Sequence, residues 1–595
     1  MKLFVPLLVA FSLLTTSICR ADSFDKTPSR VGRQIPNFVL DDLDGKQVAL
    51  ADFHNDRVLV VLFLGTECPI ANQYIPQIKS LADRFHSSGV RFLIVNSNSG
   101  DSLEKLCKHK ADYQLDFPIL SDPRQEVADI FAAERMTQCF VLDYRRIVRY
   151  SGRIDNRIGY GSRKTKPTRE DLAEAVQQLL NGEPISVAET DVAGCLITRR
   201  REDSDEATAI TFCKDIAPIL QKKCENCHHA GTAAPFTLST YDDAANWSAM
   251  IREVILDRRM PPWHADPRYG EFGNCRTLSA DELDKIISWI DNGTPEGDKK
   301  HLPEPIAYTE GWQIDKPDFV FKLPKEVKVP AEGVVRYKYF ETKTDFNEDV
   351  WIEAAEARPG NRAVVHHIIV FYNDPNSHGD LDDGWIVAYA PGDSPLQLSG
   401  RRARLIPKGA TLIWQMHYTP TGKPEVDQSE LALRLYKGKE PPEHNVKTRG
   451  LYNRRLSIPA GAPHYRVAST RTFERDTTIL TFMPHMHLRG KSFEYKFIYP
   501  DGREQIALSV PQYDFNWQTS YQLKEPLLIP AGTRMECTAY FDNSAANPFN
   551  PDPNSIVRWG EQTWDEMMIG YMEYYDSRSD SQGQTADNKV SALTK

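Results

Sequence analysis

The sequence predicts a multidomain protein in which an α/β unit and a small all-α unit precede two all-β sandwiches. Its 595 residues exceed what one hydrophobic core normally supports. Residues 31–195 alternate short β-rich runs with amphipathic helical stretches, a pattern typical of βα units with a largely parallel sheet. Residues 211–297 show helical periodicity, and residues 330–575 show short alternating strands separated by Pro, Gly and Asn-Asp turns. The fold class therefore changes twice along the chain.

The charge balance narrows the class of partner. The chain has 72 Lys and Arg against 82 Asp and Glu, a formal net charge of -10, and no long basic run. Proteins that bind nucleic acid or anionic membrane surfaces usually carry a basic patch, so we exclude both partners. We expect small molecules or other proteins instead.

Three segments lie outside the predicted domains. Residues 1–21 begin with Lys2, continue as an apolar run and end in small residues, which is the pattern of a signal peptide. We therefore predict a periplasmic or secreted protein. No other stretch approaches ~20 consecutive apolar residues, so the mature chain should have no membrane span. Residues 196–210 are predicted to form a charged linker, and residues 576–595 a disordered tail.

The stretch "QKKCENCHHAG" carries the C-x-x-C-H pattern at Cys224, Cys227 and His228. In an exported protein two such thiols form thioethers with haem, and the imidazole that follows ligates the iron. An amphipathic helix, "DIAPILQKK", leads into the motif, and a second helix, "SADELDKIISWIDNG", follows it. This segment resembles a class I cytochrome c domain, which implies a covalently bound haem c. The alternative is a local disulfide between the two cysteines.

A sixth ligand for the haem iron should lie downstream of the motif. Met260 in "RRMPPWHAD" is the preferred candidate, since a thioether ligand raises the iron potential and suits electron transfer. His264 and His229 are alternatives, and Met260 would otherwise be a core residue. Cys213 and Cys275 lie on either side of the motif, and we predict a disulfide between them.

The stretch "FLGTECPIANQYIP" places Cys68 where a predicted strand ends and a helix begins. The N-terminus of a helix lowers the pKa of a thiol and favours the reactive thiolate. Cys107, Cys139 and Cys195 are possible resolving partners, and the sequence does not rank them. A structural Cys68, buried or bonded in a disulfide, stays open beside the catalytic one.

Three sequence segments of this unit, "FLGTECPIANQYIP", "FPILSDPRQEVADIF" and "CFVLDYRRIVRYSGRID", carry a family resemblance. They resemble a thioredoxin-fold redoxin of the peroxiredoxin-like branch over residues 31–182. The sequence departs from the thioredoxin pattern and from the peroxiredoxin pattern. The second cysteine of a thioredoxin C-x-x-C would fall at Ala71, and Thr137 stands where a cis-proline is expected. Thr66 precedes Cys68 by two positions, where peroxiredoxins have a threonine three before the cysteine.

Histidines of the β-rich region have the spacing of metal ligands. On a strand, His485 and His487 project from the same face and can both reach one ion. His366 and His367 are adjacent, so sharing an ion requires a β-bulge or a backbone twist. His417 would supply a third imidazole, and three nitrogen ligands with an open position suit copper. A methionine of "TWDEMMIGYMEYY" would complete the second site, since a thioether favours Cu(I).

These histidines occur in an order that resembles the copper type II, ascorbate-dependent monooxygenases, the family of peptidylglycine α-hydroxylating monooxygenase and dopamine β-hydroxylase. The resemblance implies two coppers per chain. It assigns an electron-transfer copper to His366, His367 and His417, and a dioxygen-activating copper to His485, His487 and Met567. A zinc site or a storage role for the same ligands is the alternative.

The same resemblance implies the fold of the β-rich region. Two jelly-roll-like sandwiches, at residues 330–475 and 476–575, would hold the two coppers on opposite sides of a solvent-filled cleft. Met567 is preferred over Met568 and Met572, because "DEM" before an aromatic-rich strand resembles the methionine segment of the family. Disulfides do not carry over, because this region contains Cys537 as its single cysteine.

The leading hypothesis is an exported copper monooxygenase that inserts one oxygen atom of dioxygen into a C–H bond. The substrate would be a small molecule or a peptide, and the electrons would pass through the fused haem from an external donor. The whole chain resembles multidomain exported redox proteins of bacteria that combine a redoxin, a cytochrome and this copper module. A non-enzymatic electron-transfer or copper-handling protein is the first alternative. A thiol peroxidase that depends on Cys68 is the second.

Overall fold

The computed structural model describes residues 29–164, 166–200, 210–308, 311–373 and 384–577. The predicted signal peptide and almost all of the predicted tail lie outside these ranges. None of the helices in these ranges combines the length and the apolar character that crossing a lipid bilayer requires.

The α/β unit is the first unit along the chain. Its strands are β1 Val39–Asp42, β2 Gln47–Ala49, β3 Val58–Phe63, β4 Val90–Asn96, β5 Ile119–Ser121, β6 Cys139–Leu142, β7 Val148–Gly152, β8 Ile158–Gly159 and β9 Ser162–Arg163. Its α-helices are α1 Pro69–His86, α2 Leu103–Tyr113, α3 Glu126–Phe131 and α4 Asp171–Leu180. A 3-10 turn spans Leu50–Phe53.

A mixed sheet in the order β2-β1-β5-β4-β3-β6-β7 forms the centre of this unit. Strands β3, β4 and β5 pair in parallel, and every residue of β3 is buried because helices cover both faces. Residues 193–200, partly assigned to the linker, pack on this sheet. The Ile197 amide donates to the Glu134 carbonyl at 2.9 Å, and the Met136 amide donates to the Cys195 carbonyl at 2.9 Å.

The all-α unit is small and helical throughout its core. A π-turn at Phe212–Ile216 leads into α5 Ala217–Lys223, followed by α6 Tyr241–Asn246, α7 Ser248–Leu256 and α8 Ala280–Asp291, with a 3-10 turn at Lys299–His301. Ser279 and Glu282 form a capping box that starts α8. Trp289 is fully buried and contacts Phe212 with ring centroids 6.0 Å apart.

The first sandwich contains twelve strands in the described part of the chain. They are β10 Phe319–Lys322, β11 Val327–Val329, β12 Lys338–Lys343, β13 Val350–Arg358, β14 Val365–Asn373, β15 Trp385–Tyr389, β16 Leu396–Gln397, β17 Arg402–Ile406, β18 Thr411–Tyr418, β19 Glu425–Asp427, β20 Glu430–Leu435 and β21 His444–Asn445. One sheet has the order β10-β20-β13-β17-β21 and the other β12-β18-β14-β15. Their inner faces share one apolar core.

The second sandwich follows directly. Its strands are β22 Lys447–Tyr452, β23 Ser457–Ile458, β24 Tyr465–Thr472, β25 Thr477–His485, β26 Gly490–Ile498, β27 Glu504–Val510, β28 Tyr521–Ile529, β29 Arg534–Phe541, β30 Val557–Arg558 and β31 Ile569–Asp576. Two four-stranded sheets, β22-β31-β25-β28 and β24-β29-β26-β27, enclose its core. Because β22 and β24 belong to these sheets, the sandwiches divide between β21 and β22, earlier than the predicted boundary at residue 475.

A segment of the all-α unit also packs on the second sandwich. Trp263 and Phe272 join the second sandwich core, and Phe272 forms a β-bridge with Leu523. The Trp263 ring lies 5.0 Å from that of Tyr521, and the Asp266 amide donates to the Ser509 carbonyl at 2.8 Å. This contact fixes the all-α unit against the sandwich that carries His485 and His487.

Candidate metal centres and thiol pair

The first histidine set is built at a β-bulge. In the β14–β18 ladder Val365 pairs with Tyr418 and His367 pairs with His417, so the register shifts across His366. The predicted bulge between the adjacent histidines is therefore confirmed. It turns His366 to the side of His367 and His417, and one nitrogen of each lies within 4.8 Å of the others. Sequence spacing and backbone geometry agree on a three-imidazole cluster.

The cluster has the protonation state that a metal ligand needs. Burial lowers the pKa of His366 to about 4. Burial, and then the neighbouring imidazoles, holds the pKa of His367 and of His417 well below the usual range. The buried Nδ1 of His417 has no hydrogen-bond partner among the described residues. Neutral imidazoles with an unpaired buried nitrogen are suitable ligands for a copper ion.

The second histidine set stands where β25 ends. The Nδ1 of His485 donates to Oε1 of Gln518 at 2.6 Å, and the Nδ1 of His487 donates to the carbonyl of Asp565 at 3.3 Å. Both bonds leave Nε2 as the atom that can bind an ion. The Nε2 of His487 is buried without a hydrogen-bond partner in the described ranges. Burial lowers the pKa of His485 to about 4 and that of His487 to about 3.

The strand register distinguishes the three candidate methionines. Strand β25 pairs with β31 so that His485 lies opposite Ile569. Met567 precedes β31 by two residues and His487 follows β25 by two, so both lie just beyond the same end of this ladder. Met568 and Met572 are buried in the core of the second sandwich. Met567 packs instead against the apolar cluster outside that core. The geometry favours Met567.

One aromatic ring contacts both histidine sets. Phe515 stacks on His366 with centroids 6.1 Å apart and an angle of 14°, and it meets His487 edge-on at 5.9 Å. The resemblance implies a solvent-filled cleft between the two sites, whereas here a phenyl ring lies between an imidazole of each. Neither Phe515 nor Gln518 is among the site residues predicted from the sequence. Both belong to a connection without periodicity, "YDFNWQT", so no pattern marks them.

The haem motif borders a large cavity of about 1560 Å³. Cys224 caps helix α5, and Cys227, His228 and Met260 border the same cavity. The Nδ1 of His228 donates to the Phe236 carbonyl at 3.1 Å, which leaves its Nε2 for a ligand. The donor set and the volume fit a haem group.

The alternatives for the sixth ligand fit less well. His264 does not border the cavity. His229 stacks on Tyr308 with centroids 3.7 Å apart. The predicted Cys213–Cys275 disulfide is wrong, because both residues are free cysteines. Cys213 is buried near the Gly297 carbonyl, whereas Cys275 is exposed.

In the α/β unit Cys68 lies at the N-terminus of α1 and is fully buried. The Cys195 amide donates to its sulfur at 3.4 Å. Hydrogen bonding from Cys195 lowers the pKa of Cys68 to about 7 although burial opposes this shift, and the pKa of Cys195 is raised. Cys107 is exposed and Cys139 bonds the Gly152 carbonyl at 3.1 Å, so the structure ranks Cys195 first.

The two positions that depart from the redoxin patterns have structural roles. The Thr66 hydroxyl donates to Asp101 at 2.6 Å. Thr137 adopts a positive φ of 80° at the place of the expected cis-proline, and its hydroxyl donates to the Ala193 carbonyl at 2.8 Å. Thr137 thereby helps to seat the segment that carries Cys195.

Two family matches cover separate parts of the chain. Residues 31–151 match the AhpC/TSA family, and residues 449–592 match the copper type II ascorbate-dependent monooxygenase, C-terminal domain. The chain carries a redoxin domain and a copper monooxygenase C-terminal domain. The redoxin domain corresponds to the α/β unit, and the match to the copper monooxygenase C-terminal domain begins in β22, which supports the sandwich boundary seen in the structure.

The chain is similar in part to bacterial thiol–disulfide oxidoreductases. The chain is 27% identical over 119 residues to the thiol-disulfide oxidoreductase ResA of Bacillus thuringiensis (strain Al Hakam), covering 20% of this chain and 67% of the relative. It is 28% identical over 137 residues to ResA of Bacillus subtilis (strain 168), covering 23% of this chain and 75% of the relative.

Among solved structures, an uncharacterized conserved protein from Geobacillus kaustophilus is similar, with 28% identity and a TM-score of 0.27. The similarity covers 29% of this chain and 94% of that one. A putative thiol:disulfide interchange protein DsbE from Chlorobium tepidum has 19% identity and a TM-score of 0.21. It covers 26% of this chain and 96% of that one.

Proposed function

We propose that this chain is an exported, periplasmic or secreted copper monooxygenase that hydroxylates a C–H bond with dioxygen. The observation that carries the proposal is the pair of neutral imidazole sets that both contact Phe515, one of them in the copper monooxygenase C-terminal domain. The substrate is a small molecule or a peptide.

The residues of the two sets have separate tasks. Copper bound by His485, His487 and Met567 would supply dioxygen activation, and copper bound by His366, His367 and His417 would supply an electron. Gln518 and the Asp565 carbonyl hold the imidazoles of the second set in one tautomer, with Nε2 directed away from these bonds. Phe515 packs against His366 and His487 and so keeps one imidazole of each set at a fixed separation.

We also propose that electrons arrive through a haem c held by Cys224, Cys227, His228 and Met260. The cavity that these residues border extends to His366 and His417 of the first set. The haem residues and the first histidine set therefore border one cavity, which favours the first set as the acceptor of those electrons. The donor to the haem would be a separate partner.

The test is the copper and haem stoichiometry of the purified chain, with EPR of its oxidised form. We expect two coppers and one haem, and the loss of one copper in each of His366→Ala and His485→Ala. His464→Ala is the matched control, because His464 is an exposed imidazole of the second sandwich that stacks on Tyr540. Zinc at both sites, or no metal, would refute the monooxygenase. Two coppers without reductant-dependent dioxygen uptake would favour a copper-handling or electron-transfer protein.

A further inference from the structure

Two cysteines separated by 127 positions meet at the edge of the redoxin domain. The Cys195 amide donates to the Cys68 sulfur, and the two side chains share a hydrogen bond. The contact depends on the docking of residues 193–200, which the Met136–Cys195 and Glu134–Ile197 backbone hydrogen bonds hold in place. Neither cysteine is a ligand of the copper or haem sites proposed above, although Cys195 borders the same cavity as the haem residues.

The two sulfurs differ in access. Cys68 has 0% of its surface exposed, whereas Cys195 is partly exposed and borders the large cavity beside Ile70. A small molecule in the cavity therefore reaches Cys195 first. Cys68 lies directly behind it, at the N-terminus of helix α1.

The pair is also prepared for thiolate chemistry. A sulfur at a helix N-terminus that accepts an amide hydrogen bond is stabilised as the thiolate. When two thiols share a hydrogen bond, the first deprotonation is a property of the pair and not of either residue alone. The proton that remains is shared by the two sulfurs. The hydrogen bond between the two cysteines lowers the pKa of Cys68 and raises the pKa of Cys195.

We propose that Cys68 and Cys195 form a reversible disulfide and act as a thiol–disulfide exchange centre for small disulfides that enter the cavity. The proton of Cys195 moves to the Cys68 thiolate, and the Cys195 sulfur, which borders the cavity, attacks one sulfur of the external disulfide. The thiolate released from the external disulfide takes the proton from Cys68 and leaves as the first thiol. Cys68 then attacks the Cys195 sulfur, closes the internal disulfide and releases the second thiol. Two protein thiols and one external disulfide become one internal disulfide and two external thiols, and the reverse reaction reduces an external disulfide.

No other cysteine of the described domain has this arrangement. Ala71 occupies the place of the second cysteine of a C-x-x-C pair, so Cys68 has no partner on its own helix. Cys139 donates to the Gly152 carbonyl, and burial raises its pKa. Cys107 is exposed on helix α2. Cys195 therefore supplies from a distant segment the second thiol that the helix lacks.

The test uses the full chain equilibrated in glutathione redox buffers of graded ratio. Acid quenching, alkylation, digestion and mass spectrometry then identify each thiol. We expect a Cys68–Cys195 linked peptide that appears in a single transition in the wild type. Cys139→Ser should show the same transition, because it removes a buried thiol of the same domain that is not part of the pair. Exposed Cys107 should become glutathionylated in the oxidising buffers of the series, which identifies the samples that can oxidise an accessible thiol.

Two variants test the order of attack. Cys68→Ser should trap glutathione on Cys195, because the resolving thiol is missing, and Cys195→Ser should leave Cys68 as a free thiol. If Cys68 and Cys195 both stay reduced in the wild type where Cys107 is glutathionylated, the exchange centre does not exist. Glutathione on Cys68 in Cys195→Ser would overturn the assignment of Cys195 as the first nucleophile.

Discussion

At the residue scale, the histidine sets depend on which ring nitrogen is held by the protein. His485, His487 and His228 each donate from Nδ1 to a neighbouring oxygen, so each can offer Nε2. A neutral imidazole has one donor and one acceptor nitrogen, so the partner of one atom sets the role of the other. The residues that accept these bonds are thus part of the binding sites, although two of the three act through backbone carbonyls.

Gln518 is the side chain that performs this task for His485. Gln518→Leu removes the acceptor and frees the imidazole to adopt either tautomer, so we expect the copper affinity of the second set to fall by about 10- to 100-fold. Gln518→Glu keeps an oxygen at the same place and should retain most of the affinity. Competition titration with a copper chelator measures both, with His366→Ala in the background so that only the second set binds. Equal affinity of the leucine and glutamate variants would show that the bond does not orient His485.

At the element scale, the sequence predicted the features that local geometry decides. The spacing of His485 and His487 predicted that they share a site, and their ring centroids lie 5.2 Å apart although His487 follows the end of β25. The adjacency of His366 and His367 required a bulge or a backbone twist, and the β14–β18 register shows a bulge. Features that depend on packing between distant segments were not predictable. Phe515 lies in an aperiodic connection, and Cys195 reaches Cys68 only because residues 193–200 dock on the sheet.

The boundary between the sandwiches illustrates the same limit. Strands β22 and β24 have the alternation of any strand, and only their ladders with β31 and β29 assign them to the second sandwich. Sequence pattern gives the period of an element, whereas its sheet depends on which partner it meets. The predicted boundary at residue 475 therefore divided strands that belong together.

The extended segment that anchors the all-α unit on the second sandwich is an element without regular secondary structure. Trp263 holds it through edge contacts with Tyr521 and Phe272, at centroid distances of 5.0 and 6.0 Å. Trp263→Ala should lower the free energy of unfolding by about 2–3 kcal/mol, near the low end for aromatic truncation because Trp263 is only partly buried. Trp263→Phe keeps an aromatic ring and should lose less than half of that. Denaturant unfolding followed by tryptophan-independent circular dichroism measures the change, and an unchanged midpoint for the alanine variant would contradict the anchoring role.

At the scale of the whole molecule, one cavity is bordered by all four folded units. Arg135 of the redoxin domain pairs with Glu253 of the all-α unit at 2.6 Å, and Asn274 donates to the Ser520 carbonyl of the second sandwich at 2.7 Å. Arg276 donates to the Gly392 carbonyl of the first sandwich. These contacts surround the haem motif with the other units, so the cavity is a property of the assembled chain rather than of one domain.

The next prediction concerns the haem that this cavity would hold. The cavity wall presents Cys224 and Cys227 on one short turn, so two thioether bonds should keep the haem attached after the chain is denatured. We expect haem to remain with the protein after acid–acetone extraction of chain produced together with a cytochrome c maturation system. The double variant Cys224→Ser/Cys227→Ser should release all of it. Cys275→Ser is the matched control, since it removes an exposed thiol of the same unit and should keep the haem. A wild-type chain that releases its haem on extraction, or never acquires one, would show that the two thiols serve another purpose and that the electrons for the copper sites arrive by a different route.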